Sequence, residues 1–335
     1  MIKVVFFQRK RYSTGNFSLE FIFEDVRARL SSKILAITKI SSFTSTGFFP
    51  RLFNIIEAPF FQADINHITG DIHYIAFLLK KRKTILTILD CGFLNIEESF
   101  KKKVLKLFWL TLPVRRVKYI TTISEASKKD ILKNCQCDPN KIKVIPVAVS
   151  EIYQPYSSTF NKTKPRLLQI GTAPNKNIAR LIEAIKDISC HLVIIGKIDN
   201  VLINQLEEYS ISYENKFNLS LEELYEEYKK CDILTFVSTF EGFGMPIIEA
   251  NCVERPVITG NITSMPEIAG NAACIVDPFD ILAIQKGIIK IIQDNDYRNE
   301  LIENGRINKN RYSASAIAEM YFELYQKVNI ENISK

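Results

Sequence analysis

Histidine and tryptophan are scarce in this sequence, and its cysteines do not pair in a metal-binding spacing. The 335 residues include 3 His and 1 Trp, and the 7 Cys form no Cys-x-x-Cys motif. These counts argue against a zinc site and against a disulfide framework, so a reducing cytoplasm is the compartment that fits best. Glycine and proline number only 12 each, which excludes collagen-like and low-complexity chains and predicts a globular fold.

Long apolar stretches are also missing. No uncharged run reaches the roughly 18 residues that a membrane-spanning helix needs. The apolar run near the amino terminus, Val4 to Phe7, is too short for a signal peptide. We therefore expect a cytoplasmic protein that is either soluble or peripheral at the inner face of the membrane.

Positive charge is concentrated in the first half of the chain. Residues 1–150 carry 25 Lys/Arg against 12 Asp/Glu, a net charge of +13, whereas residues 151–335 carry 19 against 25, a net charge of −6. A basic half is compatible with nucleic acid, an anionic membrane or anionic small substrates. Because no nucleic-acid-binding motif accompanies the charge, we expect no nucleic-acid partner.

Short β-branched and aromatic runs alternate with helical patterns along the whole chain. This alternation is typical of βα units and of parallel sheets. In the first half, helical patterns cover residues 18–30, 71–81 and 125–134. Ligands of such sheets bind beyond the carboxyl ends of the strands, so we expect function to lie in the loops that follow them.

The length of the chain favours two domains. Residues 151–165 break both periodicities and are rich in Ser, Thr, Pro and Asn, which indicates a linker. We predict an α/β protein with two Rossmann-like, doubly wound parallel-sheet domains, at 1–150 and 166–310, facing a cleft. A helix within 311–335 ends the chain and could cross back to the first domain.

The stretch EGFGMPIIEA, which begins at Glu241, combines two acids with a flexible turn. Gly242 and Gly244 allow the backbone to approach a ligand closely, and Pro246 suits the first turn of a helix. The N–H groups at a helix start favour an anion such as a diphosphate, and Glu249 would face another part of the same ligand, with geometry suited to ribose hydroxyls. The simpler alternative is that Glu249 complements the helix dipole and Glu241 is a solvated loop acid.

The motif EGFGMPIIEA, followed by RPVITGNITSMPEIAG and ACIVDP, resembles the carboxyl-terminal signature of glycosyltransferase family 4, the glycosyl transferases group 1. The resemblance is specific over residues 165–280 and looser before them. It implies the GT-B architecture and a retaining hexosyltransferase-type enzyme that holds a nucleoside-diphosphate sugar mainly in its second domain, with no metal and no further cofactor. It assigns Glu241 to the donor sugar as a catalytic residue and Glu249 to the ribose. The backbone of Gly242, Phe243 and Gly244 is assigned to the sugar and phosphate.

The resemblance extends to residues outside this motif. In LLQIGTAPNKNIARLIEA, Gly171 follows a strand and Lys176 precedes a helix, where its charge would meet the diphosphate as the leaving group forms. Taken alone, Lys176 is better explained as a solvated lysine at a helix start. In the first half, Gly15 resembles the glycine of the family's first loop, which approaches donor and acceptor. The resemblance makes His73, in INHITGDIHY, a candidate catalytic residue that would face the cleft. Taken alone, it is more simply a structural or surface histidine.

One residue departs from the family pattern. In TILTILDCG, Leu89 precedes Asp90, where relatives of similar pattern commonly carry a histidine that touches the donor sugar. A leucine cannot hydrogen-bond to a hydroxyl, so one hypothesis is a donor sugar that is apolar at that place, such as a 6-deoxy sugar. The alternative is a locally rearranged or weakened active site.

Together, these features predict transfer of a sugar from a nucleoside-diphosphate sugar to a hydroxyl of a glycan or lipid-linked acceptor, in surface polysaccharide or lipopolysaccharide biosynthesis. Two alternatives remain. One is a catalytically silent subunit that binds a sugar nucleotide for a partner transferase. The other is a sugar-nucleotide epimerase of the same architecture.

Residues 99–118 combine a cluster of basic side chains with a neighbouring apolar run. The basic residues are Lys101, Lys102, Lys103, Lys106, Arg115 and Arg116, and the apolar ones are Leu107, Phe108, Trp109 and Leu110. This composition is typical of a basic amphipathic segment that contacts an anionic membrane surface. The alternative is a solvated helix that packs its apolar side on the first domain.

Overall fold

Two parallel sheets organise the chain. The structure is a computed structural model that describes residues 1–10, 18–94, 97 and 99–333. The chain divides into two compact units, the first made of residues 1–148 and 314–335 and the second of residues 149–313. Each unit contains one six-stranded sheet, so the predicted α/β class with two parallel sheets is confirmed.

The sheet of the first unit is built from short, apolar strands. They are β1 (Ile2–Gln8), β2 (Ile34–Ile40), β3 (Ile65–Ile68), β4 (Thr84–Thr87), β5 (Tyr119–Thr122) and β6 (Ile142–Val144). All neighbours are parallel, in the order β2-β1-β3-β4-β5-β6. Alternate residues of β1 pack into two different hydrophobic cores. Val5 and Phe7 belong to one core, and Val4 and Phe6 belong to the other. Both faces of β1 are therefore covered, which explains the apolar run at its centre.

The helices of the first unit differ from the sequence prediction at one place. They are α1 (Ser18–Arg29), α2 (Phe48–Glu57), α3 (Phe100–Lys106), α4 (Leu112–Arg116) and α5 (Glu125–Asn134), with a π-helical turn, Leu107–Thr111, between α3 and α4. The helix predicted over 71–81 is wrong, because only a 3-10 turn forms there, His73–Phe77. The guanidinium of Arg116 donates to the carbonyls of Phe77 and Leu79, at 3.0 and 2.7 Å. Those carbonyls would serve the N–H groups of a continuing helix.

The second unit repeats the parallel arrangement. Its strands are β7 (Arg166–Ile170), β8 (His191–Ile195), β9 (Ser212–Lys216), β10 (Ile233–Phe236), β11 (Val257–Gly260) and β12 (Cys274–Val276). They lie in the order β12-β11-β10-β7-β8-β9. The sequence SYENK of β9 carries no strand signal, because an edge strand with only half-buried side chains needs little apolar character.

Helices fill the intervals between these strands. They are α6 (Ile178–Ile185), α7 (Asn200–Glu208), α8 (Leu221–Lys230), α9 (Met245–Cys252), α10 (Met265–Ala269), α11 (Ile281–Gln293) and α12 (Asn295–Asn308). Their starts follow local capping rules. The Ser220 side chain accepts from the N–H of Glu223, and the Glu223 carboxylate accepts from the N–H of Ser220, which forms a capping box at α8.

The last helix, α13 (Ala314–Ile333), belongs to the first unit. Its Tyr321 and Tyr325 are fully buried there. The Tyr325 hydroxyl lies 2.8 Å from Nδ1 of His67, whose Nε2 lies 2.8 Å from the Thr87 hydroxyl. Burial lowers the pKa of His67 to about 3, so this imidazole is neutral and its role is structural.

Candidate functional site

Lys176 is placed by the turn that follows β7. The strand ends at Ile170, and Gly171 then adopts a φ of +85°, in the left-handed region that favours glycine. A Cβ on Gly171 would lie 2.8 Å from Cε of Lys176. The missing side chain thus leaves room for the lysine stem to lie across the turn, just ahead of α6.

Lys176 and Glu241, which are 65 residues apart, form an ion pair. Nζ of Lys176 lies 2.6 Å from Oε1 of Glu241, and the two side chains are only 19% and 14% exposed. Nζ also lies 4.8 Å from the centroid of the Phe236 ring. A partly enclosed ammonium that is held by a carboxylate and an aromatic face is preorganised to meet an anion.

Hydrogen bonds hold the loop around Glu241 in place. The side-chain amide of Asn175 donates to the carbonyl of Phe240 at 2.8 Å. The main-chain carbonyl of Asn175 accepts from the N–H of Thr239 at 2.7 Å. On the other side, the Ser264 hydroxyl lies 2.9 and 2.7 Å from the carbonyls of Glu241 and Phe243. The position of Glu241 is therefore fixed from two neighbouring loops.

The Gly-Phe-Gly turn leads directly into α9. Gly244 has a φ of +114°, which a side chain would strain. The Phe243 ring is buried and packs edge-on against Tyr312, with 5.7 Å between the centroids. Phe243 therefore anchors the turn through its ring, and only its backbone is available to a ligand.

Glu249 lies in α9 and is held by a tyrosine from α8. The hydroxyl of Tyr228, which is fully buried, donates to Oε2 of Glu249 at 2.6 Å. Burial raises the pKa of Glu249 to about 7, and this hydrogen bond and the charge of Lys176 oppose the rise. The carboxyl group is thus poised between its neutral and ionised forms near neutral pH.

A second tyrosine of the second unit contacts this pair. The ring of Tyr153 packs edge-on against that of Tyr228, with 5.4 Å between the centroids. Its buried hydroxyl has no hydrogen-bond partner among the residues that the structure describes. Neither tyrosine was predicted from the sequence. The one hint was that Tyr225 and Tyr228 lie three residues apart in α8, and therefore on the same side of that helix.

The structure therefore brings most of the predicted donor-binding residues into the second unit. These are Gly171, Lys176, Glu241, Gly242, Phe243, Gly244 and Glu249. His73 belongs to the first unit. Gly15 lies outside the described residues.

In the first unit, His73 lines a cavity of about 190 Å³, here called the His73 cavity. It opens at the carboxyl ends of β1, β3 and β4. Its lining residues are Arg9, Gly70, Asp71, His73, Thr87, Leu89, Asp90 and Phe93. Both His73 and the unusual Leu89 are thus in one site, within a single unit.

The backbone fixes the tautomer of His73. Nδ1 lies 2.6 Å from the carbonyl oxygen of Trp109, which can only accept, so Nδ1 carries the proton and Nε2 is left as an acceptor. Trp109 lies in the π-helical turn, whose wider hydrogen-bond spacing is frequent at functional sites. The indole N–H of Trp109 in turn donates to Asp71 at 3.1 Å.

Asp90 contributes a second titratable group to the His73 cavity. Burial raises its pKa, the nearby carboxylates of Asp71 and Asp130 add to the rise, and the N–H of Gly92, which donates at 2.8 Å, opposes it. Within the described part of the chain, no three His, Cys, Asp or Glu side chains cluster as a metal site would. Nor is any helix of that part long and apolar enough to cross a bilayer.

Comparison with known proteins finds a family match within the second unit. Residues 154–308 match the family model described as Glycosyl transferases group 1. Lys176, Glu241 and Glu249 all lie within that match. The resemblance predicted from the sequence motif is therefore confirmed at the level of the group 1 glycosyltransferases, over these residues.

Individual relatives share part of their length with this chain. The O-antigen chain mannosyltransferase RfbU of Salmonella typhimurium is 31% identical over 223 residues, which are 63% of this chain and 62% of that protein. The capsular polysaccharide biosynthesis glycosyltransferase CapM of Staphylococcus aureus is 27% identical over 230 residues, or 62% of this chain and 60% of that protein. The chain thus spans less than two thirds of the length of these relatives.

Solved structures match nearly the whole chain. Sucrose-phosphate synthase from Thermosynechococcus elongatus has a TM-score of 0.80 at 13% identity, covering 98% of this chain and 99% of that one. Alr3699/HepE from Anabaena, solved in complex with UDP-glucose, has a TM-score of 0.78 at 15% identity, covering 98% and 100%. At these identities the likeness concerns the fold, and it confirms the predicted GT-B architecture.

Proposed function

We propose that this chain is a hexosyltransferase that moves a sugar from a nucleoside diphosphate to a hydroxyl of a glycan or lipid-linked acceptor. The observation that carries the proposal is the partly enclosed Lys176–Glu241 pair, with Glu249 in the helix beside it. The names of the relatives support transfer of a sugar in O-antigen or capsule synthesis. We place the activity at the cytoplasmic side of the membrane, in surface polysaccharide or lipopolysaccharide biosynthesis.

The proposed donor lies across the loops that follow β7 and β10. Glu249 accepts hydrogen bonds from the two ribose hydroxyls, and the diphosphate lies at the start of α9 and takes the Lys176 ammonium from Glu241. The Glu241 carboxylate, released from that pair, then accepts from a hydroxyl of the sugar. Apart from the exchange of Lys176 between Glu241 and the diphosphate, each group is already oriented by its neighbours, so binding needs little further reorganisation.

The proposed reaction retains the configuration at the anomeric carbon. The bond from that carbon to the phosphate oxygen breaks, the acceptor oxygen bonds to the same face, and the acceptor proton passes to the departing diphosphate. Lys176 stabilises the negative charge that grows on the leaving group. We propose that neither a metal ion nor another cofactor takes part, because this lysine and the amino end of α9 supply the positive potential.

The first test is donor binding followed by transfer. We expect the unfolding midpoint to rise with one nucleotide sugar of a panel that includes GDP-mannose and UDP-glucose, since a ligand at 100 times its Kd adds about 2.7 kcal/mol of stability. Transfer from that donor to oligosaccharide and lipid-linked acceptors should be abolished by Glu241→Ala, while Glu300→Ala, an exposed glutamate of α12, should leave it unchanged. NMR of the product would report the anomeric configuration.

The same assays separate the alternatives. A silent sugar-nucleotide-binding subunit would show the rise in midpoint but would give no product of its own with any acceptor. An epimerase would convert the donor to a second nucleotide sugar when no acceptor is present. Absence of stabilisation by every nucleotide sugar would contradict all three functions.

The second prediction concerns Leu89, which lines the His73 cavity beside Asp90. If this strand end meets the sugar as the resemblance implies, we expect a 6-deoxy donor to be used with roughly 10-fold higher kcat/KM than its 6-hydroxylated counterpart. An unpaired buried hydroxyl costs about 1 to 3 kcal/mol. Leu89→His should reverse the preference, measured as the ratio of kcat/KM for GDP-mannose and its 6-deoxy analogue.

Leu78→His provides the matched control, since Leu78 is 51% exposed in the same unit and does not line the cavity. Equal or better use of GDP-mannose by the unaltered chain would remove the hypothesis of a 6-deoxy donor.

A further inference from the structure

Helix α2 is reversed relative to an ordinary surface helix: large apolar side chains face the solvent, and a polar side chain faces the interior. Its one buried side chain is Asn54, whose amide bonds to both backbone groups of Phe43 and to the Tyr74 hydroxyl. Phe48 and Phe49 are 71% and 79% exposed. A helix of a globular protein normally buries the apolar side and exposes the polar one.

The exposed apolar surface continues into the turn after α2. Phe60 is 82% exposed. The other exposed apolar residues here are Leu52, Phe53, Ile56 and Phe61. We call the exposed residues of Phe48–Phe61 the aromatic face. A contiguous aromatic surface of this kind normally marks a site of interaction.

The basic segment, residues 99–118, contacts α2, the helix that carries most of the aromatic face. It contains seven Lys/Arg and no Asp/Glu. The Arg51 guanidinium of α2 lies 4.6 Å from the centroid of the Trp109 ring, which packs on Tyr74 at 5.1 Å. The sequence located the apolar part of the membrane contact at 107–110, but Leu110 is fully buried. The segment's own exposed apolar residues include Phe100, at 82%, and Leu107 and Phe108, at 41% and 43%, so both α2 and this segment present aromatic rings to solvent.

We propose that the aromatic face and the basic segment together form one contact surface for an anionic lipid bilayer. Phenylalanine rings enter the boundary between headgroups and acyl chains, while lysines and arginines pair with anionic headgroups. A second copy of this chain fits less well, because it would bring two positively charged segments together across an apolar contact. The proposal goes beyond glycosyl transfer and does not depend on it.

Trp109 allows the surface to be tested in the unaltered chain, because it is the only tryptophan. We expect the full chain to float with vesicles that contain phosphatidylglycerol and not with pure phosphatidylcholine vesicles. Brominated anionic lipids should quench the Trp109 fluorescence, and 0.5 M salt should weaken both effects, since salt at about this concentration shortens the screening length to a few ångström.

Paired substitutions separate the two parts of the surface. Phe48→Ser with Phe49→Ser should weaken vesicle binding about 10-fold or more. Lys101→Gln with Lys103→Gln should weaken it about 25-fold, since each basic residue contributes about 5-fold. Ile307→Ser, at a residue of the second unit that is 70% exposed, and Lys162→Gln with Lys164→Gln are the matched controls.

Three outcomes would overturn the proposal. The first is absence of binding to anionic vesicles at low salt. The second is binding that the phenylalanine substitutions leave unchanged. The third is concentration-dependent self-association that the same substitutions abolish, without vesicle binding, which would identify a second copy as the occupant. Circular dichroism of each variant checks that the fold is intact, so loss of binding by an unfolded variant is not counted.

Discussion

Replacing Lys176 with glutamine is expected to lower kcat about 100- to 1,000-fold, the usual effect of removing one preorganised donor from a developing negative charge. The ammonium is the cation that the structure places against Glu241, at 2.6 Å. Glutamine keeps a polar end on a side chain one atom shorter but has no charge to stabilise the departing diphosphate. Steady-state kinetics with the cognate donor would measure the loss.

Two further variants distinguish chemistry from folding. Lys176→Gln leaves Glu241, which is 14% exposed, without its cation, and this costs stability as well as activity. The double variant Lys176→Gln with Glu241→Gln should recover the stability and remain inactive. Lys186→Gln, an exposed lysine just beyond α6, is the control and should behave like the unaltered chain. If Lys176→Gln kept its full kcat, Lys176 would have no part in leaving-group stabilisation.

The second large effect is expected at Glu249, whose pKa is raised to about 7 by burial. An acid with a raised pKa binds more protons when the chain is folded. Its penalty is therefore absent below the unfolded value near 4.5, grows as the pH rises from there to about 7, and is complete above that. Glu249→Gln removes that penalty. We expect it to stabilise the chain by on the order of 2 kcal/mol at pH 9 and by almost nothing at pH 4.5, in urea unfolding at each pH.

The same substitution should weaken donor binding. Loss of charge-assisted bonds to the ribose is expected to raise the Kd about 10- to 100-fold, measured by calorimetry at pH 8. In the unaltered chain, binding should strengthen as the pH rises through 7, because only the ionised carboxylate accepts from both hydroxyls.

Tyr228→Phe distinguishes this account of Glu249 from a purely structural one. It removes the hydroxyl that donates to Oε2 and should move the midpoint of the pH profile upward. A profile that Tyr228→Phe leaves unmoved would contradict the assignment.

Local patterns were enough to predict the strands that hold the candidate site. The apolar runs of β7 and β10 and the glycines of the motif specify their own backbone, because a buried parallel strand and a left-handed turn each demand particular residue types. The family resemblance then supplied Lys176, Glu241 and Glu249, which no periodicity could single out.

What could not be predicted depends on partners that are distant in sequence. Tyr228 meets Glu249 from 21 residues away, and the helix predicted over 71–81 is displaced by Arg116, which takes two of its carbonyls. The aromatic face of α2 has a related cause. The spacing of apolar residues predicts the buried side of a helix only when the apolar residues are the buried ones. In α2 the buried residue is Asn54, so the prediction fails.

The position of α13 has a consequence for how the polypeptide can be cut. Its Tyr321 and Tyr325 complete the core around β1, although the entire second unit separates them from it in sequence. Proteolysis after residue 313 would therefore destabilise the first unit, because it would remove the α13 side chains that cover one side of its core. The second unit behaves as a long insertion within the first, tied at both of its ends, so expressing the first unit alone calls for residues 314–333 to be fused directly to residue 148.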